Sequence, residues 1–147
     1  MSIKTVFDKN FKITETDKNF EYQKELTNYL DKNKKDYDQN ILNEIVLWKV
    51  NRYSKFENEL ISMINSINPN DSKIDVRKSK SVLSLLLKTK GVRLAVASTI
   101  LRFRNEKIYQ IIDQRVYRII YKGKELRLSN NLTEKNIINQ IEIYLKY

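Results

Sequence analysis

Apolar positions three and four residues apart recur along most of this chain, which is the period of an amphipathic helix. The start is different: Val6, Phe7, Phe11 and Ile13 alternate loosely over residues 1–16, predicting an extended arm or a short strand pair. Asp17 is a candidate N-cap for a helix to about Leu30, with Phe20, Leu26, Tyr29 and Leu30 on one side. After a polar connection over residues 31–40, Ile41, Leu42, Ile45, Val46, Leu47, Trp48 and Val50 cover a face too wide for a surface helix. That run is expected at the centre of the fold, with Trp48 in the core. Phe56, Leu60, Ile61, Met63, Ile64 and Ile67 repeat the period until the turn formers of residues 68–72 stop it. Asp75 to Lys88 predicts another helix, burying Val76, Val82, Leu83, Leu85, Leu86 and Leu87.

The stretch Thr89 to Tyr121 organises the rest. Gly91 follows the helical run where a residue able to take positive φ is useful. From Leu94, two sets of apolar positions (Leu94, Ala97, Leu101 and Val96, Ile100, Phe103) predict a helix, and Asp113 opens a second one. Lys122-Gly123-Lys124 is a turn, Glu125 to Leu128 a short connector, and Asn131 or Thr133 caps a last helix carrying Ile137, Ile138, Ile141, Ile143 and Leu145. The expectation is an all-α, compact fold in a single domain over residues 1–147, with a helix–hairpin–helix and following helix at about 76–121.

Composition narrows the chemistry. The chain contains no cysteine and no histidine, which excludes thiolate catalysis, cysteine-type zinc sites and iron–sulfur clusters, and removes the commonest general base. Acid–base work falls to Asp, Glu, Lys or Tyr. Pairs such as Glu57/Glu59 and Asp36/Asp38 sit among polar residues and read as solvated charge, so no metal and no cofactor is expected. The first twenty residues lack a signal-peptide core and no run is long enough to span a bilayer, so a cytoplasmic protein without membrane partners is expected.

Charge locates the partner. The net charge is +10, and residues 76–122 carry twelve basic side chains against only Glu106 and Asp113, so the whole surplus lies there. Six of the eight arginines fall in that window (Arg77, Arg93, Arg102, Arg104, Arg115, Arg118), a clustering suited to a polyanion. Duplex DNA, held through its backbone, is the expected partner. Backbone amides of Gly91, Arg93 and Ala95 are a candidate phosphate clamp. Lys88, Lys90, Arg102, Arg104, Arg115 and Arg118 are candidate contacts around it. Gly91 as an ordinary helix terminator is the structural alternative. Asp113 is the sharpest candidate for chemistry, and equally a good N-cap.

The run LLLKTKGVRLAVASTIL, followed by IIDQRVYRII, resembles the helix-hairpin-helix DNA glycosylases of base-excision repair over about residues 85–121. Gly91 and Asp113 are 22 residues apart, about the separation used in that family. The resemblance implies that Asp113 faces the sugar of a flipped-out nucleotide and stabilises its cationic, oxocarbenium-like form as the base leaves, or helps activate water. Arg93 stands where the family usually has a second hairpin glycine. Ala95 stands where lyase-type members carry a Schiff-base lysine, so a monofunctional glycosylase is implied. Tyr109 and Tyr117, on either side of Asp113, are candidate walls of a base pocket. The alternative is a non-catalytic helix–hairpin–helix module that binds DNA or a protein.

Overall fold

The computed structural model describes residues 9–19, 22–33, 36–50 and 54–147, with only the backbone described at Thr16 and Asp17. The secondary structure is all helical: α1 (Glu15–Lys18), α2 (Lys24–Lys32), α3 (Gln39–Lys49), α4 (Asn58–Asn65), α5 (Val76–Lys88), α6 (Leu94–Arg104), α7 (Gln114–Ile120) and α8 (Glu134–Lys146). No strand occurs among the described residues. The chain divides into two compact units, Met1–Tyr53 and Ser54–Tyr147.

In the first unit α2 packs on α3. Trp48 donates from its indole Nε1 to Thr27 Oγ1 at 2.8 Å and meets the Tyr22 ring edge-on at 5.1 Å, so it is half-buried against α2. Only Ile41 of α3 is buried, while Leu42, Val46 (58% exposed), Leu47 and Val50 face outward. The wide apolar face therefore does not mark a central helix. A continuous apolar run records how many greasy residues a helix has, not how many neighbours are available to cover them. The predicted arm is partly replaced by helix: residues 11–14 are irregular and α1 follows, while Val6, Phe7 and Phe20 lie outside the described residues. Asp17 falls within α1, and α2 starts later than predicted, behind Gln23 in a left-handed conformation (φ 45°).

The second unit is organised around α5, which packs against α4, α6 and α8. Val82, Leu83, Leu86 and Leu87 are wholly buried, as are Leu94, Ala97 and Leu101 of α6 and Ile112 ahead of α7. Burying one such leucine contributes roughly 1.5–3 kcal/mol, so this four-residue cluster is the anchor of the unit. Of the two apolar stripes predicted on α6, only Leu94–Ala97–Leu101 is buried; Val96 and Phe103 (80% exposed) are not. Caps expected from the sequence form at Asp113 and Thr133, and Asp75, read as the first residue of its helix, caps α5 instead. Asp75 accepts from Lys78 N, Asp113 from Arg115 N and Val116 N, and Thr133 rather than Asn131 accepts from Asn136 N.

Candidate functional site: a cleft between the hairpin and Asp113

The α5–α6 connection is built by local chemistry. Thr89 ends α5, its N–H donating to Leu86 O at 3.1 Å and its hydroxyl to Leu85 O at 3.0 Å. Gly91 takes φ +84°, and Val92 N closes the turn on Thr89 O at 3.1 Å. Val92 is then driven into the core, which turns the chain so that Arg93 stands exposed at the head of α6. A side chain at position 91 would be strained by that φ, and its Cβ would approach Ser54 Oγ to 2.9 Å. Arg93 offers no side-chain cap to α6, and no acceptor among the described residues takes the amide of Gly91, Arg93 or Ala95. These three donors are uncommitted, next to an exposed guanidinium.

Asp113 is brought to the same place. A cleft of about 180 Å³ is lined by Arg93, Leu94 and Ala95 from the α6 head, by Ile112, Asp113 and Gln114 at the α7 head, and by residues of the 126–130 segment and α8. The carboxylate is half-buried. Its Oδ1 accepts both cap bonds at 2.8 Å, from Arg115 N and Val116 N, and Oδ2 accepts none among the described residues. Capping and an available carboxylate oxygen thus coexist in one side chain.

The segment before Asp113 is pinned at three consecutive residues. Tyr144 donates to Gln110 O at 3.0 Å, Tyr147 donates to Ile111 O at 3.1 Å, and Ile112 N donates to Ser98 Oγ at 3.1 Å. Such bonds fix where a functional group sits before any ligand arrives. Burial raises the Tyr147 phenol pKa, and the Asp113 charge raises it further. The Tyr144 phenol is raised as well, by burial above all. Across the cleft, the segment after Gly123 is held from two sides. Leu126 N donates to Gln114 Oε1 at 2.9 Å, and Gln140 Nε2 donates to Ser129 O at 3.3 Å. The stretch read as a mere connector is a wall of the cleft.

No family model, curated protein or solved structure matches this chain.

The other sequence-derived residues fall into distinct places. Lys90, Arg115 and Arg118 are exposed, and no acid among the described residues pairs with them. Lys88 lies 4.0 Å from Glu134 in an exposed pair of little energetic weight. Lys88 and Lys90 line a separate cavity of about 410 Å³ together with Thr89, Glu57 and Glu59, on residues other than those of the Asp113 cleft. Arg102 pairs with Glu106 at 2.9 Å. Arg104 donates through Nε to Ile67 O at 2.7 Å and through a terminal nitrogen to Asn65 O at 2.6 Å, capping the end of α4. Neither arginine reaches the cleft. They sit at the far end of an 11-residue helix, about 16 Å along its axis.

The aromatic candidates are corrected by the same geometry. Tyr109 is 2% exposed with its hydroxyl 2.7 Å from Ser79 Oγ, a core position whose burial raises the phenol pKa. Tyr117 is half-buried and stacked on Tyr121 with ring centroids 4.3 Å apart, and it does not line the cleft. The sequence reading missed Ser98, Gln140, Tyr144 and Tyr147. For Ser98 and Gln140 a signal exists: each is a polar residue on an otherwise apolar stripe, between Leu94, Ala97 and Leu101 or between Ile137, Ile141 and Tyr144. Among the described residues there is no cluster able to hold a metal ion and no helix long and apolar enough to cross a membrane.

Proposed function

We propose that this chain is a helix–hairpin–helix DNA-binding protein acting as a monofunctional DNA glycosylase, in which the hairpin holds a backbone phosphate and Asp113 serves base excision. The observation that carries the reading is the shared cleft: Arg93 and Ala95 of the hairpin line it together with Asp113, although 18 residues or more of chain separate them. Uncommitted amides at the α6 head suit a phosphate oxygen, and Arg93 adds a charged donor where a backbone clamp alone would be weaker. The Oδ2 of Asp113 is available to a sugar that becomes cationic as its base departs. Ala95 offers no amine for a Schiff base, so the product is an abasic site in an intact strand. A cytoplasmic setting, on the nucleoid if the cell is prokaryotic, goes with this reading.

A second reading, a non-catalytic DNA-binding or protein-binding hairpin module, draws on the size of the cleft. Its 180 Å³ lies below the roughly 300–1,000 Å³ usual for small-molecule sites. One experiment separates the two. Duplexes carrying uracil, alkylated or oxidised bases are incubated with the protein and with Asp113→Asn, and base release is measured alongside DNA affinity. The variant should fold, bind DNA at least as well as the parent, and release base about 100-fold more slowly. A parent that binds DNA yet releases nothing selects the non-catalytic module, and an Asn variant matching an active parent makes Asp113 a cap only.

A further inference from the structure

We propose that Gln140 is a specificity-determining residue of the Asp113 cleft, reading an N–H donor on a single-ring nucleobase. This rests on the glycosylase reading and extends it from the reaction to the class of base. Gln140 is the one polar residue on the buried stripe of α8 made by Ile137, Ile141 and Tyr144, and at 3% exposure it is as buried as they are. A leucine would fill the stripe as well; the carboxamide uses its Nε2 to hold the 126–130 segment at Ser129 O, and its Oε1 is left over from that structural role. The side chain nevertheless lines the cleft. Its Nε2 is tied to Ser129 O at 3.3 Å, which keeps the amide from swivelling, and its Oε1 accepts no hydrogen bond among the described residues. The result is a fixed acceptor, carried on a buried side chain, in the lining of the cleft.

The rest of the lining fits the same ligand. Gln114 Oε1 is already taken by Leu126 N, so Gln140 Oε1 and Asp113 Oδ2 are the open acceptors on buried or half-buried side chains, beside the exposed Asn130 carboxamide, and Arg93 is the charged donor. Open acceptors together with an exposed guanidinium match a donor-bearing base whose phosphate stays at the hairpin. The volume of about 180 Å³ is small for a ligand site, which favours one ring over two. A site built to accept from an N–H discriminates strongly against an analogue lacking it, because the buried acceptor is then left unmade.

The test uses the full chain and two probes that differ only at the proposed donor, uracil and 3-methyluracil. In isotope-labelled protein, uracil should shift the Gln140 side-chain amide resonances and 3-methyluracil should not. Gln140→Met, similar in volume, should lose that distinction, and Gln140→Leu, which likewise removes the acceptor, stands in if the Met variant fails to fold. In duplexes, release of uracil should exceed release of 3-methyluracil at least 10-fold, and the Met variant should bring the ratio towards one with DNA Kd unchanged. Equal shifts by both probes in the parent, or unchanged selectivity in the Met variant, overturn the assignment. Uracil-dependent shifts at Gln140 with no base release would leave the recognition site standing and remove the catalytic reading. Release with selectivity indifferent to Gln140 would do the reverse, and neither shift nor release removes both.

Discussion

The two ends of α6 carry similar charge and do opposite things. At its head, Arg93 is exposed beside uncommitted backbone amides and a half-buried carboxylate. At its tail, Arg102 is paired with Glu106 and Arg104 is bound to two carbonyls at the end of α4. Counting basic residues treats all of them as one DNA-facing surface. The difference is set by what surrounds each guanidinium. A helix C-terminus with open carbonyls lies within reach of Arg104 and absorbs it, whereas no acceptor among the described residues is bonded to the Arg93 guanidinium.

That contrast can be broken most decisively at the tail. Arg104→Met keeps the aliphatic stem but removes two charge-assisted hydrogen bonds, and should cost about 2 kcal/mol of stability in a denaturant titration. DNA affinity, measured where the variant is still folded, should not change; a loss confined to binding would return Arg104 to the interface. Next in size is Gly91→Ala. Its φ of +84° and the 2.9 Å approach to Ser54 Oγ predict a loss of about 1–2 kcal/mol, with weaker DNA binding because the hairpin must shift. An alanine variant as stable as the parent would show that the turn does not need its left-handed residue.

Arg93→Ala should leave stability within about 0.5 kcal/mol. It should weaken DNA binding several-fold and lower the salt-dependence slope by about one contact. A slope identical to that of the parent would mean Arg93 meets no phosphate. The smallest effect belongs to Arg102→Ala: an exposed ion pair is worth less than about 1 kcal/mol, and binding should be unaffected. If Arg102→Ala reduced affinity as much as Arg93→Ala, the head and tail of α6 would be equivalent after all.

How far the site could be read in advance follows the same line. Gly91 and Asp113 were legible because each announces a local need, a positive φ and an N-cap, that is satisfied within a few residues. Tyr109 was misplaced because a tyrosine's neighbours in sequence say nothing about which way its ring points; here it lies in the core against Ser79. Tyr144 and Tyr147 went unnoticed because their partners, Gln110 and Ile111, are 34 and 36 residues earlier in the chain. The central place expected for α3 failed for a related reason, since burial needs a covering neighbour and the run of residues 41–50 supplies only one side of that contact.

The sequence by itself determined the helices from α3 onward, their stops at Gly91 and residues 68–72, the caps at Asp113 and Thr133, and the leucine cluster of α5. These depend on interactions within four residues or on simple periodicity, so they are written locally. Only the tertiary structure decided which cations are free, that the hairpin and Asp113 share a cleft, and that Gln114 and Gln140 hold the 126–130 segment as its wall. Those outcomes depend on which carbonyl or carboxylate ends up within about 3 Å of a side chain. Distances of that kind between residues far apart in the chain arise only when the core closes.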